Sequence, residues 1–299
     1  MNNFNSKKHS IIPTAIITTF IFAFILWSIF YPLKFHKLTT VFSNKFDTTQ
    51  DFVKFFDVGQ ADCALIYSNG YSCVVDVGEP FTANDIAMKL YDCKIDRIDT
   101  VLISHLHSDH IGALPQFADI FKIDNLIMPF LQSGSLISAH TGKNSAVKNG
   151  ANFYHAEQGT NFKIGEFEIT LLATFWDKTN ENNRSVFLMA EIDGVKFLFA
   201  GDAEKEAENS LLSEQLNLDC DVLKVAHHGS NSATQKSFLK ATTPDYAVIS
   251  VGIDNEYGHP HEQTLNTLAN QGVKLFRTDQ SGDITFFINN GEITVTEEK

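Results

Sequence analysis

Residues 101–114 read V-L-I-S-H-L-H-S-D-H-I-G-A-L and set His105, His107, Asp109 and His110 within six positions, directly after an apolar run with the character of a strand. In an extended or looped backbone, alternate residues point the same way. His105 and His107 can therefore converge on one side, while Asp109 and His110, just past a turn, face a second point. That is the layout of two neighbouring metal sites. Neutral imidazole and ionised carboxylate suit borderline and hard divalent ions, so two divalent cations are expected, with zinc the leading candidate and manganese or iron the others. A histidine-rich loop without a ligand is the competing reading. Four ligand-type side chains packed so closely at a strand end weigh against it.

The chain has 299 residues, 43% of them hydrophobic, enough to bury one sizeable core, and reads as one globular catalytic domain with an appendage. A formal charge of -13 argues against a broad basic surface that grips nucleic acid by counterion release. Two divalent cations would still make a cleft locally positive, so a nucleic acid or other phosphodiester substrate remains compatible. Cys63, Cys73, Cys93 and Cys220 include no C-x-x-C pair, which excludes a zinc ribbon and a small disulfide framework. Buried thiols are expected, although Cys63 and Cys73 flank a turn at 68–71 and could lie across a hairpin.

Residues 1–10 form a short polar N-terminus. Residues 11–33 then carry no charge until Lys34, a span of about the 20 residues that cross a bilayer as a helix, with Trp27 and Tyr31 near the exit interface. No small-x-small cleavage site follows, so an uncleaved single-pass membrane anchor is expected rather than a removable signal peptide. Lys7 and Lys8 on one flank nearly balance Lys34 and Lys37 on the other. A single N-terminal anchor most often leaves the bulk of a chain outside, so the catalytic domain is expected on the extracytoplasmic side of the cell membrane. Residues 34–50 read as a polar linker and 51–299 as the catalytic domain. No protein partner is evident.

From Asp51 the pattern is that of an α/β domain. Residues 52–58 and 72–78 read as strands with Asp57 and Asp76 at their ends, where they would stabilise turns or orient imidazoles. A helix over 82–91, a strand over 99–104, a helix over 112–120 and a strand over 125–128 follow. The segment 132–157 is less decodable, and its His140 and His155 read as surface or structural histidines. Strands over 162–164, 167–172, 185–192 and 196–200 end at Gly201-Asp202. After a helix over 203–216, a strand over 221–226 runs into His227-His228-Gly229-Ser230. Another over 245–251 precedes Tyr257-Gly258-His259-Pro260-His261, and short strands over 273–276, 283–288 and 292–296 close the chain.

The order H-x-H-x-D-H, G-D, H-H-G-S, G-H-P, each at a strand end, resembles the metallo-β-lactamase superfamily of metal-dependent hydrolases. More narrowly, F-F-D-V-G-Q-A-D, V-V-D-V-G, L-I-S-H-L-H-S-D-H-I-G-A-L, N-N-R-S-V-F-L, F-L-F-A-G-D-A-E, L-K-V-A-H-H-G-S and Y-G-H-P-H resemble the hydrolase domain of the ComEC competence protein family and its stand-alone relatives, which include choline-phosphate esterases. The resemblance covers about residues 51–290. It implies an αββα sandwich with the metals where strand ends converge at one edge. It also implies that His105 and His107 bind the first metal, that Asp109 and His110 bind the second, and that Asp202 bridges both. A histidine of His227-His228 would complete the second site, with His228 favoured and His227 turned towards its surroundings or the substrate. His259 would lie at the cleft mouth as ligand or phosphate contact. Many superfamily members place a further histidine ahead of the G-D strand, where this chain has Glu181-Asn182-Asn183-Arg184-Ser185. The first metal is then left with a weaker ligand such as Asn183, or with water.

The chemistry expected of such a centre is hydrolysis of a phosphodiester, in DNA or another polymer at the cell surface. Asp109 would ligate and orient the attacking water, and Asn183, Arg184 and His259 would contact substrate. Choline-phosphate esterase activity and acyl hydrolysis of the lactonase, thioesterase or lactamase kind are the alternatives. A surface binding protein without turnover is the non-enzymatic one.

Overall fold

The structure, a computed structural model, describes residues 14–40, 47–132, 134–174, 177 and 179–299. Two sheets form its centre. The first runs, in spatial order, Glu292–Glu298, Asp283–Asn289, Asp51–Phe55, Ala64–Ser68, Tyr71–Val75, Arg97–Leu102, Lys122–Met128 and Asn152–His155. The second runs Lys274–Arg277, Tyr246–Ile249, Val222–Lys224, Val195–Phe199, Val186–Ile192, Phe167–Thr174 and Asn161–Ile164.

Period-two side-chain direction sorts the apolar residues of each strand between two cores. Val53, Phe55, Ile66 and Val75 face inward with Phe167, Phe197 and Phe286 of the inter-sheet core. Their neighbours Phe52, Leu65 and Val74 face an outer core with helices Ala83–Asp92 and Leu114–Ile120. On the other side Leu198, Leu223 and Ala247 meet helices Lys205–Ser213 and Lys236–Thr242. Strands covered on both faces must be apolar throughout, and Ala64–Ser68 is buried at every position. The result is the expected αββα sandwich.

The turn between Ala64–Ser68 and Tyr71–Val75 is Asn69-Gly70, both at positive φ (54° and 87°), the pairing that a two-residue hairpin favours. Its register sets Cys73 opposite Ile66, so Cys63 and Cys73 do not face each other, and all four cysteines are free and buried. In 132–157, helix Ile137–Lys148 and strand Asn152–His155 appear where the sequence offered little pattern.

At the N-terminus, Thr14–Phe30 is a helix of 17 residues, about 25 Å long against a hydrocarbon core of about 30 Å. Among the described residues no helix is long and apolar enough to cross a membrane. Positions 11–13 of the expected anchor, all of 1–10 and positions 41–46 of the expected linker lie outside the described residues. Positions 34–40 of the expected linker lie in the helix Pro32–Thr40. It docks on helix Ala83–Asp92, with His36 Nε2 3.0 Å from Asp92 Oδ1 and Lys37 Nζ 5.4 Å from the Tyr91 ring centre.

Glu208, fully buried, accepts hydrogen bonds from the backbone amides of Thr234 (2.5 Å) and Gln235 (3.0 Å), the residues that lead into helix Lys236–Thr242. Burial pushes its carboxyl up to about 7, against the pull of those two donors. A raised folded-state pKa gives a contribution to stability that is complete below the ordinary value of 4.5 and is lost as pH rises through about 7. Relative to Glu208→Gln, the parent is therefore expected to lose about 2 kcal/mol between about pH 5 and pH 8. Urea unfolding of both proteins at the two pH values measures this; parallel pH trends would place the slope elsewhere.

Candidate metal centre

Strand ends from both sheets converge on one edge. After Arg97–Leu102 the chain turns at Ser104, whose backbone N–H and Oγ both donate to the Asp76 carboxylate at 2.7 Å. Asp76 Oδ2 also accepts from His110 Nδ1 at 2.8 Å, which aims the other ring nitrogen, Nε2, outward. From the second sheet, Asp202 follows Val195–Phe199 across Gly201. That glycine has φ 52°, and a Cβ there would meet Ser185 Oγ at 2.8 Å. His227 and His228 adopt left-handed backbone (φ 51° and 50°), a conformation costing about 1–3 kcal/mol per non-glycine residue. The turn is fixed by the His227 N–H donating to the Gly201 carbonyl at 3.1 Å. His228 Nδ1 donates to the Ser250 carbonyl at 2.9 Å, so the lone pair of the neutral ring lies on Nε2, which is 3.1 Å from Asp109 Oδ2.

Three ligand groups result. Two share Asp202, with Asp109, His110, Asp202 and His228 in one cluster and His105, His107 and Asp202 in the other; the third is the buried trio Asp62, Asp76 and His110. Within each cluster the ligand atoms all lie within 4.8 Å of one another. Asp202 Oδ1 is 3.3 Å from His110 Nε2, Asp202 Oδ2 is 3.8 Å from His105 Nε2, and His105 Nε2 is 3.1 Å from His107 Nδ1. His110 Nε2 and Asp202 Oδ1 are buried without a hydrogen-bond partner. Buried polar atoms are seldom left so, and a shared cation is the ligand that would satisfy both. The charges agree. Burial opposes a proton on His110, but Asp202, Asp109 and Asp76 outweigh it and hold His110 well above the usual imidazole range. Burial likewise opposes charge on Asp202, and His110 and His228 outweigh it and hold that carboxyl well below its usual range. An environment that retains a proton in this way also favours a divalent cation.

The other residues singled out in the sequence fall differently. His227 belongs to neither cluster; it stands in the cleft wall with Nδ1 3.3 Å from Glu204 Oε1 and Nε2 3.9 Å from Asp202 Oδ2. Asn183 belongs to neither cluster: its Nδ2 is 3.3 Å from Asp177 Oδ2 and its Oδ1 accepts from the Glu204 N–H at 3.1 Å. The 3-10 turn Asn182–Arg184 turns neighbouring residues to different sides, and Asn182 is the one that lines the cleft. Arg184 is buried rather than available to substrate: Nε donates to the Asp177 carbonyl and a terminal nitrogen to Glu181 Oε2, both at 2.6 Å. His259 does line the cleft, with Nδ1 buried and unpartnered. Burial and the neighbouring His228, His227 and His261 lower its pKa to about 4, so it is a neutral imidazole at neutral pH.

Sequence reasoning missed Asp62 and Lys224, which form a buried ion pair of 2.8 Å beneath the clusters. A lysine as the one charge in the apolar strand Val222–Lys224 was the available signal. It also missed Glu204, which accepts from Asn182 Nδ2 at 3.2 Å and from Ser232 Oγ at 3.1 Å.

Two stacked sheets with ligand-bearing loops at one edge define a hydrolase-type metal fold, and the chain belongs to the metallo-β-lactamase superfamily, whose family model matches residues 56–253. Proteins of this superfamily are generally metal-dependent hydrolases. Several relatives carry names that fit the ComEC-like motifs. ComE operon protein 3 of Bacillus subtilis is 31% identical over 199 residues, covering 66% of this chain and 25% of that protein. Competence protein ComA of Neisseria gonorrhoeae is 30% identical over 243 residues, covering 81% of this chain and 33% of that one. The chain thus spans a quarter to a third of the length of these relatives. Among solved structures, the metallo-β-lactamase fold protein YhfI of Bacillus subtilis superposes with a TM-score of 0.52 at 12% identity, covering 82% of this chain and 100% of that one. The diiron β-hydroxylase CmlA of Streptomyces venezuelae gives 0.54 at 15%, covering 80% and 54%. At these identities the likeness concerns the fold.

The geometry separates the adjacent histidines. His228→Ala is expected to cost one of two zinc equivalents, whereas His227→Ala keeps both. Titration of zinc-stripped protein reads the difference, and equal losses would reverse the assignment.

Proposed function

We propose that the protein is a membrane-anchored, dinuclear metal-dependent phosphodiesterase acting on DNA or another phosphodiester at the cell surface, with zinc the leading cofactor and manganese or iron the alternatives. The observation that carries this reading is the pair of ligand clusters sharing Asp202 at the floor of an open cleft of ≈ 590 Å³. His105, His107 and Asp202 would hold one cation, and Asp109, His110, His228 and Asp202 the other. When bound, two such cations supply a nucleophile at neutral pH and neutralise charge developing on phosphoryl oxygens. Asp109, part-exposed where the other carboxylate ligand Asp202 is buried, is placed to orient the attacking water. Neutral His259 is placed to donate a hydrogen bond to a phosphate oxygen. The competence names of the relatives support DNA as substrate. Exposed Phe20, Phe22 and Phe30 on helix Thr14–Phe30 support an anchoring role, and in this reading the catalytic domain lies outside the cytoplasm.

Hydrolysis of bis-p-nitrophenyl phosphate by the full chain tests the reading. Turnover with Zn²⁺, Mn²⁺ or Fe²⁺ that chelator removes is expected; no turnover with any of the three would sink it.

One observation favours a second reading, a choline-phosphate ester. The described cleft lining includes Glu79, Glu256, Phe81 and Tyr257 but no lysine or arginine. Acids and aromatic faces beside a phosphate-binding centre suit a quaternary ammonium better than a polyanionic strand. A parallel screen of single-stranded DNA, double-stranded DNA and choline-phosphate esters separates the two.

A further inference from the structure

Beneath the cleft lies a pair of charges that the hydrolytic reaction does not use. Asp62 and Lys224 are only 5% and 4% exposed, with Lys224 Nζ 2.8 Å from Asp62 Oδ2 and 3.2 Å from the Val225 carbonyl. Burying two charges is expensive, and a well-packed apolar pair would join the two sheets at least as firmly. Stability alone therefore does not account for them.

Their contacts are one-sided. The Asp62 backbone N–H donates to the Asp109 carbonyl at 3.0 Å. Asp62 Oδ1 lies 3.6 Å from His228 Nδ1, and Asp62 Oδ2 lies 3.9 Å from His110 Nδ1. Of the two clusters that share Asp202, Asp109, His110 and His228 serve only the one, and Asp62 itself groups with Asp76 and His110. Among the described residues, no hydrogen bond or ion pair joins Asp62 or Lys224 to His105 or His107, which serve only the other. Asp62 Oδ1 is moreover buried without a hydrogen-bond partner, as is Ser250 Oγ, and both residues line a small cavity with Lys224, Asp76 and Ser104. Ser250 is also the residue whose carbonyl fixes the His228 ring.

Resting on the two-cation reading above, we propose that Asp62 and Lys224 are positioning residues for one half of the centre. The carboxylate faces the protonated Nδ1 edges of His110 and His228 and raises the donor strength of their Nε2 atoms. The ammonium holds that carboxylate in place and balances its charge. The pair thereby sets the affinity for the cation held by Asp109, His110 and His228, and leaves the His105–His107 half untouched.

Calorimetric Zn²⁺ titration of the metal-stripped full chain tests this with Asp62→Asn and with Asp62→Asn/Lys224→Met, the second of which leaves no unpaired ammonium and guards against a single variant that fails to fold. Loss of a hydrogen-bonded partner behind a metal-bound imidazole costs about 10–100-fold in affinity, and Asp62, which stands 3.6 Å and 3.9 Å from these rings without a hydrogen bond to them, is expected at the lower end, about tenfold. One of two equivalents is expected to weaken by that factor in the double variant while the other keeps the parent affinity. Two equivalents of parent affinity, or two weakened alike, would overturn the proposal. A parent chain that binds fewer than two equivalents overturns the two-cation reading with it, an outcome visible before any variant is made.

Discussion

Asp202→Ala is expected to bind neither cation at its parent affinity and to lose hydrolysis of a phosphodiester by about 10³-fold or more, the equivalent of about 4 kcal/mol in the barrier. Among the described residues no other side chain belongs to both the Asp109–His110–His228 and the His105–His107 clusters. Its Oδ1 lies 3.3 Å from His110 Nε2 in the first, and its Oδ2 lies 3.8 Å from His228 Nε2 in the first and 3.8 Å from His105 Nε2 in the second. Removing one carboxylate thus removes a ligand from each half and also the charge that favours both. His107→Ala, by contrast, touches one cluster and should leave one equivalent bound. Zinc titration beside a rate measurement distinguishes the two variants. Activity of Asp202→Ala within tenfold of the parent would rule out a bridging role.

The second large effect is on stability. Phe286 is fully buried between the sheets, with ring centres 5.9 Å from Phe197, 5.8 Å from Tyr246 and 5.8 Å from Phe276, all on the second sheet, and 6.0 Å from Phe55 on its own. Phe286→Ala removes the ring against which those four pack, and large-to-small replacement of a core phenylalanine costs about 3–5 kcal/mol. Urea unfolding should show that loss. A cost below about 1.5 kcal/mol would mean that the sheets close over the gap, because the penalty scales with the cavity that remains.

The parts of this molecule legible in its sequence are those where chemistry is local. His105, His107, Asp109 and His110 sit in one short segment, and Gly201-Asp202 and His227-His228 each end a strand whose apolar run is plain, so the structure's gathering of them follows from strand ends meeting at one edge. Asn183 and Arg184 were not assignable in this way, since a 3-10 turn chooses which of three neighbours faces the cleft, and it chose Asn182. Asp62 and Lys224 are 162 positions apart and meet only in the fold. Helix Ile137–Lys148 escaped notice because its buried residues are Ala139, Gly142 and Ala146, small side chains with no hydrophobic stripe to read. A Cβ on Gly142 would come within 2.6 Å of Leu114, so close approach to the neighbouring helix, rather than apolar bulk, seats this one. Positions 34–40 read as linker because they are polar; the structure shows them helical, with ion pairs and the Tyr91 ring seating them on the domain.

The strand Asp51–Phe55 lies between Ala64–Ser68, a neighbour in sequence, and Asp283–Asn289, more than two hundred residues downstream. Just past the end of that strand, the Asp57 backbone N–H donates to the Asp283 carboxylate at 2.9 Å, and Lys54 Nζ lies 3.5 Å from the same side chain. During synthesis the first sheet therefore keeps an open edge until almost all of the domain has emerged, and pairings of such long sequence separation are slow to form. The loop that carries Asp62 hangs from that edge. Maturation of the centre is thus placed late, after the chain has closed on itself, so that a nascent or truncated product would offer its histidines to passing metal without the geometry to keep it.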